Sequence, residues 1–208
     1  MTRLDLINMA LLKAGVSQTV VTETENTREG LTARKLYDPT RREVLRAYPW
    51  AFATRYENLE IVDGDDAPAV QRLDGAVEWQ YAYQYPEDCL FARRLVAAGG
   101  RRFDRNPLRW RVGRASQNLL VVFTNDVDPM LEYTGDVDLD TTPPEPLFES
   151  AFTTLLASRF AMSLSREAKL ARELYLLFRD ELPFAQTING REAQPEPDTD
   201  QASWHTDR

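Results

Sequence analysis

Tyr48-Pro49-Trp50-Ala51-Phe52-Ala53 separates two kinds of sequence, and the fold follows from what lies on either side of it. Upstream, from about Thr27 to Tyr48, Leu31, Leu36, Val44 and Leu45 mark a helix, which Pro49 ends because proline cannot continue the hydrogen-bond ladder. Pro39 falls inside this stretch and is expected to kink the helix or, with Asp38 as cap, to start a new one. Nearer the start, Thr2 followed by Asp5 reads as an N-terminal cap. Leu4, Ile7, Leu11 and Ala14 then recur at helical spacing until Gly15 supplies a stop. This first helix is short and apolar on most faces, so burial is expected.

Downstream of the junction the texture changes to short alternating or aromatic-rich runs, which read as strands. Candidates are Asn58 to Val62, Val77 to Tyr85, Leu90 to Ala97, Arg101 to Phe103, Arg109 to Val112, Asn118 to Thr124 and Met130 to Tyr133. Gly99-Gly100 suits a two-residue hairpin turn, and residues 63–68 suit an exposed loop. After Pro143-Pro144 the helical period returns. Leu147, Phe148, Ala151, Phe152, Leu155, Leu156 and Phe160 form one stripe. Ser165 can cap a last helix carrying Leu170, Leu174, Leu177, Phe178, Leu182 and Ala185, with a kink expected at Pro183 and an end at Gly190. Helices at both ends and strands between them imply an α+β protein, not an alternating βαβ one. The expected layout is a discontinuous helical bundle from both chain ends (1–50 and 143–190), a β-rich insertion (51–142) and an extended C-terminal tail (191–208).

A length of 208 residues suffices for a real hydrophobic core, in one good-sized domain or a domain carrying a smaller one. With 43% apolar residues and a net charge of −8, the composition excludes a disordered chain and a protein whose main work is to coat nucleic acid. No apolar run approaches the roughly 20 residues of a membrane span. The first residues lack the features of a signal peptide, so the expectation is a soluble chain made in the cytosol, with no membrane partner. Cys89 is the only cysteine and His205 the only histidine, which excludes an internal disulfide, multi-cysteine metal motifs and histidine-based zinc sites.

The charge is strongly segregated. Residues 57–78 hold seven acids and one base, and residues 93–114 hold eight arginines and one acid. Residues 115–158 hold eight acids and no Lys or Arg, and residues 192–208 hold five acids and one base. An arginine block between acidic blocks reads as a nucleic-acid patch, as half of a self-complementary subunit contact, or as the solvated faces of strands that pair with one another. Arg101, Arg102, Arg105, Arg109, Arg111 and Arg114 interleave with Phe103 and Trp110, as in single-strand binders. On alternating strand positions the two aromatics equally suit a core face.

Catalytic chemistry finds little support. Cys89 has no activating histidine on a scaffold, since His205 lies in the tail, and a small buried residue is the expected role. Asp136-Val137-Asp138-Leu139-Asp140 begins like a calcium loop, but Thr141 stands where glycine is wanted and Leu147 where a bidentate Glu is wanted. Phosphate-cradling glycine motifs are absent, and nothing in the sequence selects one pair of carboxylates. No cofactor is expected, and the chain reads as a non-enzyme.

The order of certain residues resembles a known family. They are Ile7, Ala10, Leu11 and Gly15, then Tyr37, Arg41, Leu45 and Tyr48-Pro49-Trp50-Ala51-Phe52-Ala53. Tyr81, Tyr83, Tyr85-Pro86-Glu87-Asp88-Cys89 and Tyr133 follow, then Phe148, Phe152, Leu156, Ala157, Ala161 and Ala185. Over roughly residues 3 to 190 the chain resembles the tail tubular protein A family, the head-to-tail adaptor or gatekeeper proteins of short-tailed bacteriophages. The resemblance implies a non-enzymatic ring of twelve copies at the head-tail junction of the virion, assembled in the host cytoplasm. The ring is docked between the portal protein and a tail nozzle similar to tail tubular protein B, and the double-stranded genome passes through it. It further implies that the C-terminal extension, with Trp204, His205 and Arg208, reaches the portal. Heterologous contacts between copies would use Arg101, Arg102, Arg105, Arg109, Arg111 and Arg114 against acidic positions such as Asp136, Asp138 and Asp140. The alternative from another class is an arginine-rich nucleic-acid-binding protein using the same six arginines, and a hydrolase on a surface carboxylate pair is a third.

Overall fold

A computed structural model gives the architecture, described for residues 2–62, 79–96, 108–114 and 119–192, with side chains to residue 183. Helix α1 (Arg3–Lys13) starts where sequence placed it. The Thr2 hydroxyl accepts from the Asp5 amide, and the Asp5 carboxylate accepts from the Thr2 amide at 2.9 Å. Gly15, at φ +72°, takes the left-handed conformation that ends the helix. Leu6, Ile7, Ala10 and Leu11 are buried, but Leu12 is 76% exposed, so one face of α1 stays open where burial on most faces is the sequence expectation.

Helix α2 (Arg28–Ala47) begins at the Thr27 cap and runs through Pro39 as a single helix, so Asp38 does not start a new one. Pro39 lies on the exposed side, where its ring meets solvent and not a packed neighbour. In the turn it disturbs, the Thr40 hydroxyl donates to the Leu36 carbonyl at 2.5 Å. The buried face is Ala33, Tyr37, Thr40, Arg41, Val44 and Leu45, and Leu31 is exposed.

Helix α3 (Pro146–Phe160) is the centre of the bundle. Every residue from 151 to 158 is buried, so its apolar stripe widens to the whole circumference. Lys13 of α1 donates to the Thr153 and Thr154 hydroxyls, at 2.8 and 3.0 Å. Arg159 reaches Glu43 and the Thr40 hydroxyl of α2. A π-helical turn (Ala161–Ser165) and a left-handed residue, Arg166, lead into α4 (Ala168–Glu192). Ser165 does not cap α4; its hydroxyl donates to the Ala14 carbonyl and fastens the turn to α1. α4 continues past both Pro183 and Gly190 to Glu192, and packs Ala171, Leu174 and Phe178 inward while Leu177 is exposed. Residues from both chain ends thus share one core, as a discontinuous bundle requires.

Among the described residues, six strands in two antiparallel three-stranded sheets lie between the two halves of the bundle. One has the order β1 (Thr54–Asn58), β6 (Met130–Gly135), β3 (Cys89–Val96). The other has the order β2 (Tyr81–Gln84), β5 (Leu120–Thr124), β4 (Trp110–Arg114). The first strand starts at Thr54 and ends at Asn58, where the sequence reading begins it, because it leaves directly from a 3-10 turn at Ala51–Ala53. Residues 60–62 join the second sheet instead: Ile61 bridges Tyr83, and the Val62 amide donates to the Ala82 carbonyl at 2.9 Å.

Leu59, Tyr83, Leu95, Val122, Leu131 and Tyr133 form a core shared by the two sheets. β3 pairs with β6 and β4 with β5, so these two arginine-bearing strands do not pair with one another. The Gly99-Gly100 turn, the Arg101 to Phe103 strand, the 63–68 loop and the tail at 193–208 lie outside the described residues.

Candidate functional site at the bundle-insertion junction

The site is built on Trp50, which is fully buried. Its indole Nε1 donates to the Val44 carbonyl at 2.8 Å, so the side chain beyond the proline satisfies an orphan carbonyl in the last turn of α2. Its ring meets Tyr48 at 4.9 Å and Phe148 at 5.2 Å, both edge to face. Phe52 packs on Phe148 at 5.1 Å, Phe148 stacks on Phe152, and Tyr37 meets Phe152 edge-on. One aromatic chain therefore joins α2, the 3-10 turn and α3.

A polar seam runs beside it. Arg41, buried on α2, donates to the Val137 carbonyl and pairs with Asp136 at 2.7 Å, while Arg42 takes the other Asp136 oxygen at 2.8 Å. Asp38 lies between Arg41 and Arg3, and the Arg3 guanidinium sits 4.3 Å from the Tyr37 ring centre. The Arg3 amide donates to Asp140 at 2.8 Å. Burial pushes the Tyr37 phenol well above its ordinary pKa, against the opposing pull of Arg3.

On the insertion side Asp88 gathers a second cluster. Its carbonyl accepts from the Asp136 amide at 2.7 Å, and its carboxylate pairs with Arg55. The Tyr133 hydroxyl lies 2.9 Å from Asp88 and 2.8 Å from Glu57, within reach of donating to either carboxylate. Burial first, then these two acceptors, raises the Tyr133 pKa. Gly135 gives Arg55 its path, since a Cβ there would stand 2.8 Å from the Arg55 Cδ and Nε. Buried Pro86 turns the chain into β3, its carbonyl accepting from the Cys89 amide. Cys89 itself is half-buried, and burial pushes its thiol above the ordinary value, with the neighbouring Tyr85 hydroxyl opposing the shift.

Tyr48, Pro49, Trp50, Phe52, Pro86, Asp88 and Cys89 thus belong to the framework around the junction. Asp136 and Asp140 are engaged within the chain. Asp138 is exposed, with its carboxylate accepting from the Asp140 amide at 3.1 Å. Arg109, Arg111 and Arg114 are exposed along β4, an edge of its sheet, while Trp110 turns toward the insertion core. Arg101, Arg102 and Arg105, and the tail residues Trp204, His205 and Arg208, lie outside the described residues. Among the described residues no group of three or more His, Cys, Asp or Glu side chains is placed to hold a metal ion.

No protein-family model matches this chain, and no curated protein matches it. Sequence reasoning missed the Asp88-Tyr133-Glu57-Arg55 cluster, because its members come from two strands and a turn that only pairing brings together. It also missed a cleft beside Tyr48, about 370 Å³ in volume, between the end of α2 and strands β3 and β6.

Proposed function

We propose that this chain is a structural adaptor of the head-tail junction in short-tailed bacteriophage virions, a ring-forming protein that joins the portal to the tail nozzle and lines part of the DNA channel. The observation that carries this reading is the convergence at one junction of the residues behind the resemblance. Tyr37, Tyr48, Trp50, Phe148 and Phe152 sit in the bundle core, and Tyr83, Tyr133 and Asp88 organise the insertion. Asp136, clamped by Arg41 and Arg42, ties the two together. These residues are scaffold, so the likeness concerns how the body is built and leaves its surface free for partners.

The surface supports contact with other proteins. Tyr175, Leu176 and Leu177 are exposed together on α4, and the open face of α1 borders a groove of about 490 Å³ lined by Met9, Leu12 and Val16. Exposed arginines on the β4 edge and acidic segments elsewhere suit a heterologous contact that repeats until a ring closes. A net charge of −8 suits a channel wall that does not hold phosphate. In this reading the chain acts without catalysis or cofactor, and Trp204, His205 and Arg208 in the tail contact the portal.

The arginine-rich nucleic-acid-binding reading rests on the outward side chains of β4. A salt titration separates the two. Adaptor function predicts weak DNA binding at moderate ionic strength and co-migration with portal rings. Tight DNA binding that collapses between low and moderate salt, without portal association, would reverse the assignment.

A further inference from the structure

Phe91 and Arg93 of β3 line a cleft that Arg46, Tyr48, Pro49 and Thr134 complete, with Arg93 at the register shift between Ala92 and Arg94, where a strand bulges and re-aims a side chain. Arg93 is half-buried. Its Nε donates to the Thr134 hydroxyl at 2.9 Å, Nη2 donates to the same oxygen, and Nη1 donates to the Thr54 hydroxyl at 3.4 Å. These partners are neutral. Two of its five N–H groups, one on each terminal nitrogen, have no partner among the described residues. Arg46, in the last turn of α2, has its guanidinium carbon 5.8 Å from the Phe91 ring centre.

Neither arginine has an ion-paired carboxylate among the described residues. The acid closest in register, Glu132, pairs with Arg94 at 2.7 Å. Burial lowers the Arg93 pKa, with the Glu132 charge opposing it only in part, so the guanidinium sits where an anion would relieve its desolvation. Counting Arg46, Arg93 and Arg94 against Glu132, the neighbourhood is cationic. The Phe91 ring, 45% exposed, and the Tyr48-Pro49 wall give the cleft an apolar side.

We propose that this cleft is a carboxylate-binding site that receives an acidic peptide segment, with Arg93 and Arg46 holding the carboxylate and Phe91 covering the adjoining apolar side chain. Its volume, about 370 Å³, suits a few side chains and not a nucleic-acid duplex. The apolar wall offers nothing to a phosphodiester backbone. A segment of the right chemistry exists in this chain: residues 192–208 carry five acids and one large aromatic, Trp204. The proposal does not depend on the adaptor reading, because no portal or ring is needed for it.

The test uses the full chain with four of the five acids of its own segment replaced (E196Q/D198N/D200N/D207N) as receptor, and a fluorescent peptide of residues 192–208 in its natural sequence as probe. Anisotropy should show saturable binding. R93M and R46M should each weaken it by about tenfold or more, as expected for loss of a charged hydrogen bond. R172Q, on the exposed face of α4, should leave affinity within about twofold, a change worth only a few tenths of a kcal/mol. Circular dichroism establishes that each variant is folded, and R46M, at an exposed side chain, keeps the test decisive if R93M is not. The proposal is overturned if both variants bind the peptide as tightly as the receptor does. It is also overturned if a peptide with its acids replaced by amides binds equally well, or if a short DNA duplex displaces the probe at lower concentration than unlabelled peptide does.

Discussion

Replacing Trp50 with alanine should destabilise the protein more than any other single aromatic truncation at the junction. The side chain is fully buried, meets the rings of Tyr48 and Phe148, and donates to the Val44 carbonyl at 2.8 Å. Removing a buried Trp costs about 3–5 kcal/mol, and the orphaned carbonyl places this site toward the upper end. A loss of about 4 kcal/mol lowers Tm by about 8–16 °C in a chain of this size. It is also a large share of the roughly 5–15 kcal/mol total stability of a typical domain. W50F separates the two contributions: the ring is largely kept and the N–H lost, for a cost of about 1–3 kcal/mol. Trp110 provides the comparison, being only partly buried on the β4 edge, where truncation should cost about 1–2 kcal/mol. Thermal and urea unfolding followed by far-UV circular dichroism measure all three. A loss in W50A of less than about 2 kcal/mol, or no greater than in W110A, would show that Trp50 is not the anchor of the junction.

Other consequences follow from the seam and the insertion. D136N leaves buried Arg41 facing a neutral amide and should cost about 3–5 kcal/mol, whereas R42Q, at an exposed cation, should cost less than about 1 kcal/mol; urea midpoints compare them. G113A places a Cβ 2.7 Å from the Phe123 ring and should cost about 1–3 kcal/mol by the same assay. Burial raises the phenol pKa of Tyr37, Tyr83, Tyr85 and Tyr133 above the ordinary value of 10.0. The folded chain thus retains protons that the unfolded chain releases near pH 10, so stability should fall as pH rises through and above that value. Tyrosinate absorbance at these four positions should therefore appear together with unfolding, and tyrosine-to-phenylalanine variants assign it. Titration of all four near pH 10 in a folded chain would contradict the burial.

The helical ends of the fold are legible because their signals are local. Thr2 with Asp5, Gly15, Thr27 and Pro49 each act within one turn of where they stand, and the structure places helix ends at all of them. Pro39 and Ser165 mislead for the same reason in reverse. Tertiary packing of Tyr37, Arg41 and Leu45 carries α2 across the proline, and Ser165 finds the Ala14 carbonyl, 151 residues away, in place of a local cap. Strand existence is largely legible from alternation, but strand partners are not. β3 and β4 are consecutive among the described strands, yet they belong to different sheets, a choice made by β5 and β6 further along. The arginine cleft is illegible because Arg46, Arg93 and Thr134 come from a helix end and two strands that meet only in the fold. Asp136 shows the converse: an acidic run that reads as surface charge supplies the carboxylate that two helix arginines enclose.

The adaptor reading is tested most directly by mixing the purified chain with assembled portal rings and imaging the product by cryo-electron microscopy. The expected image is a ring of twelve copies on one face of the portal, with the helical bundle and the β insertion forming one continuous body around an open channel. Portal rings that remain bare at saturating concentrations of folded protein would contradict it.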